Sequence, residues 1–63
     1  MDGKCIQYNG STGIIVWSAE DDMHYRFESS EVTGDLTEGD LVSFSVNGLH
    51  GVDTRAVSIT KRN

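Results

Sequence analysis

The side chains that could carry out catalysis or hold a metal are few, and their spacing supports neither activity. Candidate metal ligands are His24, His50, Cys5 and the acidic turn Glu20-Asp21-Asp22. They fall in different parts of the chain and match no zinc or calcium spacing, so surface or packing roles are expected for them. Ser29 and Ser30 have neither a glycine elbow nor a base that the sequence supports, which makes them turn or capping residues. We expect a protein that is not an enzyme and has no metal or cofactor.

Length and charge restrict the alternatives further. The 63 residues suffice for one domain over residues 1–63 with a small core, and are too few for a deep substrate cleft. Ten acidic and five basic residues give a net charge of −5, which argues against indiscriminate binding to phosphate or to anionic membranes. The single cysteine favours a reducing compartment, and no apolar run is long enough to span a membrane. We expect a cytoplasmic monomer.

Short runs of β-forming residues, separated by glycine and Asx turns, predict five strands. The predicted strands are Lys4–Tyr8, Gly13–Trp17, Met23–Phe27, Leu41–Asn47 and Thr54–Thr60. Five short strands at this spacing favour an all-β fold that closes into a barrel. A single helical turn is expected over 28–31, and loop turns are expected over 9–13, 35–40 and 47–51.

Alternation along each strand divides side chains between the core and the surface. The residues expected to face the core are Ile15, Trp17, Tyr25, Val42, Phe44, Val46, Val57 and Ile59. Cys5 is expected to be buried as a small apolar residue. The second strand is apolar on both faces, which leaves Ile14 and Val16 outside, beside His24 and Arg26. Such a strip suits a contact surface, although a covering loop, a chain terminus or an ordinary exposed pair would also account for it.

The order of these features resembles the bacterial cold-shock proteins, which are five-stranded antiparallel OB-fold barrels that bind single-stranded RNA and DNA. Matches to that family run through nearly the whole chain. They are Gly3-Lys4, Tyr8-Asn9, Gly13, Asp22, Phe27, Leu36-Thr37-Glu38-Gly39, Val42-Ser43-Phe44 and Arg55-Ala56-Val57-Ser58-Ile59. The resemblance implies a small OB-fold barrel of cold-shock type.

The binding motifs of that family are altered in this chain. The first, Lys-Gly-Phe/Tyr-Gly-Phe-Ile, falls on residues 12–17, where aliphatic side chains replace both outward aromatics and threonine replaces the lysine. The second, Val-Phe-Val-His-Phe, falls on residues 23–27 and keeps only its last aromatic. The resemblance leaves Tyr8, His24 and Phe27 as candidates for base stacking. Lys4 and Arg26 are the candidates for phosphate contacts, and Arg26 could also stack.

Two functional hypotheses follow from this altered surface. Base stacking on an aromatic ring is worth about 1–3 kcal/mol per base, so the loss of several rings predicts weak or selective binding of single-stranded RNA or DNA. The rival hypothesis is a protein-interaction module, or an acidic mimic of nucleic acid, that uses Ile14 and Val16 as its contact. The family resemblance favours the first hypothesis, and the residue chemistry favours the second.

Overall fold

The structure is a computed structural model that describes residues 1–19, 23–47 and 54–62. Its elements are β1 (Asp2–Tyr8), β2 (Thr12–Trp17), β3 (His24–Glu28), a 3-10 turn (Ser29–Glu31), β4 (Val32–Thr33), β5 (Leu41–Asn47) and β6 (Arg55–Lys61). The five predicted strands and the predicted helical turn are therefore confirmed, and β4 is an additional short strand. The acidic turn predicted at 20–22 lies outside the described residues, and so does the turn predicted over 47–51 beyond Asn47, with His50 in it.

The strands form one closed sheet. Neighbours follow the order β3-β2-β1-β5-β6-β4, and β3 also pairs with β6. The pairs β1–β2, β2–β3, β1–β5 and β5–β6 are antiparallel, whereas the closing contact is a single parallel pair between Arg26 and Arg55. The result is a five-stranded, OB-like small barrel, with β4 added beside β6. Among the described residues, no helix has the length and apolar character needed to cross a membrane.

The core fills the interior of this barrel. Its buried residues are Cys5, Ile15, Tyr25, Phe27, Leu36, Val42, Phe44, Ala56 and Ile59. Tyr25 packs against Phe44 with ring centroids 5.8 Å apart, and Trp17 and Val46 are half-buried against the cluster. The inward positions predicted for Ile15, Tyr25, Val42, Phe44 and Ile59, and the burial predicted for Cys5, are confirmed.

A β-bulge in β1 changes the direction of the side chains that follow it. Cys5 pairs with Ile15 and Gln7 pairs with Ile14, so Ile6 is an extra residue without a partner in β2. An extra residue reverses the alternation of side chains. The bulge therefore places Tyr8 opposite Gly13, on the side of the sheet that faces the core.

A second bulge, in β6, corrects the predicted orientation of Val57. Thr60 pairs with Ser43 and Val57 pairs with Ser45, which leaves one residue too many in β6. That residue is Ser58, whose φ of 52° lies in the left-handed region and whose amide donates a hydrogen bond to the Glu31 carboxylate. Because the bulge reverses the alternation, Ala56 is fully buried and Val57 is only half-buried. The prediction that Val57 faces the core was wrong.

Two predicted turns are held by side-chain oxygens. The Asn9 carboxamide accepts hydrogen bonds from the backbone amides of Ser11 and Thr12, both at 2.9 Å. The Asp40 carboxylate accepts from the backbone amide and the hydroxyl of Thr37, and forms an ion pair with Lys61 at 3.5 Å. The hydrogen bond from the Thr37 amide is the largest cause that holds the pKa of Asp40 below its ordinary value. The Thr37 hydroxyl and the positive charge of Lys61 lower it further.

Candidate nucleic-acid interface

Five residues, one from each barrel strand, form a continuous row across the outside of the sheet. In order, this arginine row consists of Gln7, Ile14, Arg26, Arg55 and Asn47. Directly paired residues lie on the same side of a sheet, and neighbouring strands are about 4.8 Å apart. The row therefore places two adjacent guanidinium groups between two carboxamides.

A groove with a volume of about 660 Å³ follows the arginine row. All five residues of the row line it, together with Asn9, Thr12, Gly13, Phe27, Glu28 and Thr54. The groove thus includes the β1–β2 turn and reaches inward to the rim of the core. Glu28 supplies the single carboxylate among the described lining residues. An anionic ligand is therefore attracted by Arg26 and Arg55 and repelled by Glu28.

A second row of outward residues lies next to the arginine row. This lysine row consists of Leu41, Lys4, Val16 and His24, paired across β5, β1, β2 and β3. Lys4 and His24 are both exposed. The structure therefore brings three of the predicted contacts, Lys4, His24 and Arg26, onto one outer face, although Lys4 and His24 do not line the groove.

Two of the three basic side chains that form no ion pair with a described residue line the groove. Within the described part of the chain, Lys61 pairs with Asp40, and Arg62 pairs with Asp2 at 3.3 Å. The remaining three of the five lysine and arginine residues are Lys4, Arg26 and Arg55, and none of them forms an ion pair with a described residue. An acidic protein thus presents a local cationic surface, which is the arrangement needed to attract phosphate.

The structure corrects the stacking role predicted for Phe27. Its side chain is only 2% exposed, because β3 turns it into the core beside Tyr25. Gly13 lies directly opposite, and a β-carbon at that position would clash with the Phe27 ring. The Tyr8 ring covers Phe27 further, with centroids 5.3 Å apart. The faces of the Phe27 ring are therefore not available to a base, even though its edge reaches the groove.

Tyr8 itself is half-buried and does not line the groove. Its position follows from the bulge at Ile6, which turns the side chain towards Phe27, and its hydroxyl donates a long hydrogen bond of 3.5 Å to the Gly10 carbonyl. Each of the five aromatic rings of the chain is buried or half-buried. The exposed planar groups on the outer face are therefore the His24 imidazole and the two guanidinium groups of the arginine row.

The apolar strip predicted at Ile14 and Val16 is half-buried. The exposed aliphatic side chains nearby are Ile6 and Leu41, which are 43% and 47% exposed. Leu41 pairs with Lys4, and Ile6 follows that lysine at the bulge. The apolar surface is thus displaced towards β1 and the start of β5, at the opposite end of the lysine row from His24.

Sequence reasoning missed Arg55, Gln7 and Asn47 as site residues. A signal for Arg55 was present, because uninterrupted alternation that places Val57 and Ile59 inside would also bury Arg55, and an unpaired buried charge is costly. That conflict indicates a bulge in β6. Asn47 had no comparable signal, since the row depends on the closing pair between β3 and β6, which local patterns do not specify.

No protein-family model matches the chain, and neither the curated proteins nor the solved structures contain a match. In the described part of the chain, no group of three or more His, Cys, Asp or Glu side chains is placed to hold a metal ion. The class of protein is therefore defined by the fold and the outer face alone. It is a small OB-like barrel with a cationic groove.

Proposed function

We propose that this protein is a non-catalytic, cytoplasmic module that binds single-stranded RNA or DNA weakly or selectively on its cationic outer face. The observation that carries the proposal is the position of the three unpaired basic side chains. Arg26 and Arg55 are the pair that closes the barrel between β3 and β6, and Lys4 lies in the lysine row next to them. Adjacent like charges repel each other, so a phosphate placed between the two guanidinium groups gains from both and relieves their repulsion.

The fold supports the same location. In OB-fold barrels, oligonucleotides bind on the face of the second and third strands and between the loops that border it. The groove here uses that face, with Ile14 from β2 and Arg26 from β3, and includes the β1–β2 turn. The sequence resemblance to cold-shock proteins points to the same class of ligand.

The available side chains determine the strength of binding. The Phe, Tyr and Trp rings are buried or half-buried, so most of the contribution of about 1–3 kcal/mol per base that exposed rings make is lost. The guanidinium planes of the arginine row and the imidazole of His24 can stack on bases and replace part of this stacking contribution. Three cations make a modest electrostatic contribution. The proposal is therefore weak binding that depends on salt.

An NMR titration at low salt tests this proposal. Short oligo-U, oligo-T and oligo-A should shift the backbone amides of His24, Arg26 and Arg55, because these residues lie on the proposed face. The double variant Arg26→Gln/Arg55→Gln should lose most of the shifts. Arg62→Gln serves as the matched control, since it removes one positive charge from an exposed ion pair with Asp2 outside the groove. Unchanged spectra at millimolar concentrations of every oligonucleotide would rule the proposal out.

A second candidate function, a protein-interaction module, is favoured by one observation. Ile6 and Leu41 are exposed and flank Lys4, and they extend the half-buried pair Ile14 and Val16. Exposed aliphatic groups gathered on one face mark contact surfaces. Leu41→Ser should then abolish binding to a defined protein partner and leave oligonucleotide binding intact, because it removes the apolar contact without placing a negative charge beside Lys4. Unchanged binding to the protein partner, together with weakened oligonucleotide binding, would reject this candidate.

A further inference from the structure

The arginine pair in the groove concentrates two positive charges at one place on the surface. Arg26 and Arg55 are the single registered pair between β3 and β6, so their side chains leave adjacent backbone positions on the same side of the sheet. Both are exposed, both line the groove, and neither forms an ion pair with a described residue. Two guanidinium groups are therefore available to one ligand.

The neighbours of this pair within the arginine row are neutral. Ile14 of β2 lies beside Arg26, and Gln7 of β1 follows it. On the other side, Asn47 of β5 lies beside Arg55. The row therefore contains two positive charges and no negative charge.

The neighbours along the strands compensate the pair only in part. On β3, His24 and Glu28 lie two residues before and after Arg26 and point to the same side. On β6, the residue two positions after Arg55 is the apolar Val57. Glu28 is the single carboxylate among the described lining residues, and it forms no ion pair with a described residue. The described part of the groove thus has an excess of positive charge at the pair.

The two kinds of phosphate in nucleic acid differ in charge and in hydrogen-bonding capacity. A phosphodiester within a strand carries one negative charge, whereas a terminal phosphomonoester carries about −1.5 to −2 near pH 7. The monoester also has three strong acceptor oxygens, and guanidinium groups bind such oxygens through parallel N–H groups. Two adjacent guanidinium groups therefore match a monoester better than a diester.

We infer that Arg26 and Arg55 bind the terminal phosphomonoester of a single strand in preference to the phosphodiesters within it. This inference rests on the proposed function and names the part of the strand that the arginine pair holds. The additional charge of the monoester is attracted by two guanidinium groups and repelled by the Glu28 carboxylate. The net gain is about one interaction between unit charges at contact distance in water, which corresponds to about fivefold in affinity.

Competition measured by fluorescence anisotropy tests the inference, with labelled oligo-U displaced by unlabelled oligo-U of equal length at low salt. A strand with a phosphate at its 5′ or 3′ end should bind about fivefold more tightly than one with hydroxyls at both ends. The double variant Arg26→Gln/Arg55→Gln should reduce this ratio to about one, because the charges that distinguish the two strands are gone. Lys4→Gln is the matched control. Lys4 is exposed on the same face but does not line the groove, so its loss should weaken both strands and keep their ratio.

The titration of the monoester gives a second, independent measurement. Its second pKa is about 6, so the ratio should fall towards one as the pH is lowered from about 7.5 to about 5. A histidine that gains a proton attracts anions and acts in the opposite direction. His24→Asn removes that contribution from the outer face, and this variant should show the same fall in the ratio.

The outcomes separate this inference from the function on which it rests. Equal binding of strands with and without a terminal phosphate, or a ratio that survives in the double variant or at pH about 5, would overturn the preference and leave nucleic-acid binding in place. An absence of binding to every strand would overturn both.

Uridine monophosphate distinguishes the end of a strand from a free nucleotide. It carries the same monoester without the rest of the strand, so it should compete more weakly than the phosphorylated oligo-U. Competition as strong as that of the phosphorylated strand would show that the ligand is a free nucleotide and would overturn the inference. Amide spectra with native dispersion for the double variant would show that its loss of preference does not come from unfolding.

Discussion

At the scale of single residues, the close contact between Gly13 and Phe27 keeps the Phe27 ring in the core and off the outer face. Gly13 leaves room for the Phe27 ring, and the ring fills the end of the core below the groove. A larger residue at position 13 would displace this ring, because its β-carbon would meet both the ring and the Gln7 carbonyl. One glycine therefore allows Phe27 of β3 to be part of the core.

Gly13→Ala should destabilise the protein by about 1–3 kcal/mol, the usual cost of adding a methyl group to a tightly packed site. Urea unfolding, followed by the fluorescence of Trp17, measures the change. Ser45→Ala, at an exposed strand position, should change the free energy of unfolding by about 0.5 kcal/mol or less. If Gly13→Ala were as stable as the control, the close packing of Phe27 against Gly13 would be incorrect.

At the scale of elements, the two bulges determine which side chains reach the surface. Ile6 in β1 and Ser58 in β6 each add one residue to an antiparallel pair. The first turns Tyr8 towards the core, and the second places Ala56 inside and Arg55 outside. Without them, β1 and β6 would present different residues to the groove.

The turn before β5 should make stability depend on pH. The pKa of Asp40 is depressed in the folded protein, chiefly by the hydrogen bond from the Thr37 amide. A carboxylate with a depressed folded pKa stabilises the native state while it is ionised, and this stabilisation is lost as the pH falls through the folded pKa. The stability of the wild type should therefore decrease below about pH 4.

Asp40→Asn should be less stable than the wild type near neutral pH, and the difference should shrink as the pH falls below about 4. Thermal unfolding across this range measures it. Asp35→Asn is the control, because Asp35 is exposed and has no hydrogen bond or ion pair with a described residue. A difference between Asp40→Asn and the wild type that stays constant with pH would contradict the role assigned to the Asp40 carboxylate.

The same two scales explain how much could be predicted from the sequence. Alternation and turn residues were enough for an all-β barrel with five strands close to their observed bounds, since these signals are local. A bulge reverses the alternation, so one alternation pattern can be right on only one side of it, and Val57, which lies across the Ser58 bulge from Ile59, was assigned to the wrong side. Phe27 lies two residues after Tyr25 and therefore points to the same side of β3, which is the core. The family resemblance had predicted a stacking role for Phe27 on the surface.

The candidate site was predictable only in part, for a physical reason. Lys4, His24 and Arg26 were identified because they lie on neighbouring strands joined by local pairing. Arg55 and Asn47 join the row through the single pair that closes β3 against β6. That closure depends on the curvature of the whole sheet, which no local pattern specifies.

At the scale of the whole molecule, the distribution of charge matters more than the net charge. The chain carries a net charge of −5, yet two of the three basic side chains that form no ion pair with a described residue, Arg26 and Arg55, line one groove. Long-range repulsion from the remaining surface weakens the approach of a polyanion, and the local groove opposes this at short range. Binding should therefore be weak and sensitive to salt.

The salt dependence of oligo-A binding, measured by fluorescence anisotropy, tests this central claim most directly. Three phosphate-contacting cations, at about 0.7 each for a single strand, predict that log K falls with log salt concentration with a slope of about −2. The double variant Arg26→Gln/Arg55→Gln should reduce the slope to about −0.7, since Lys4 alone remains, and Arg62→Gln should leave it unchanged. A slope near zero for the wild type, or one that the double variant does not change, would contradict binding through the arginine row.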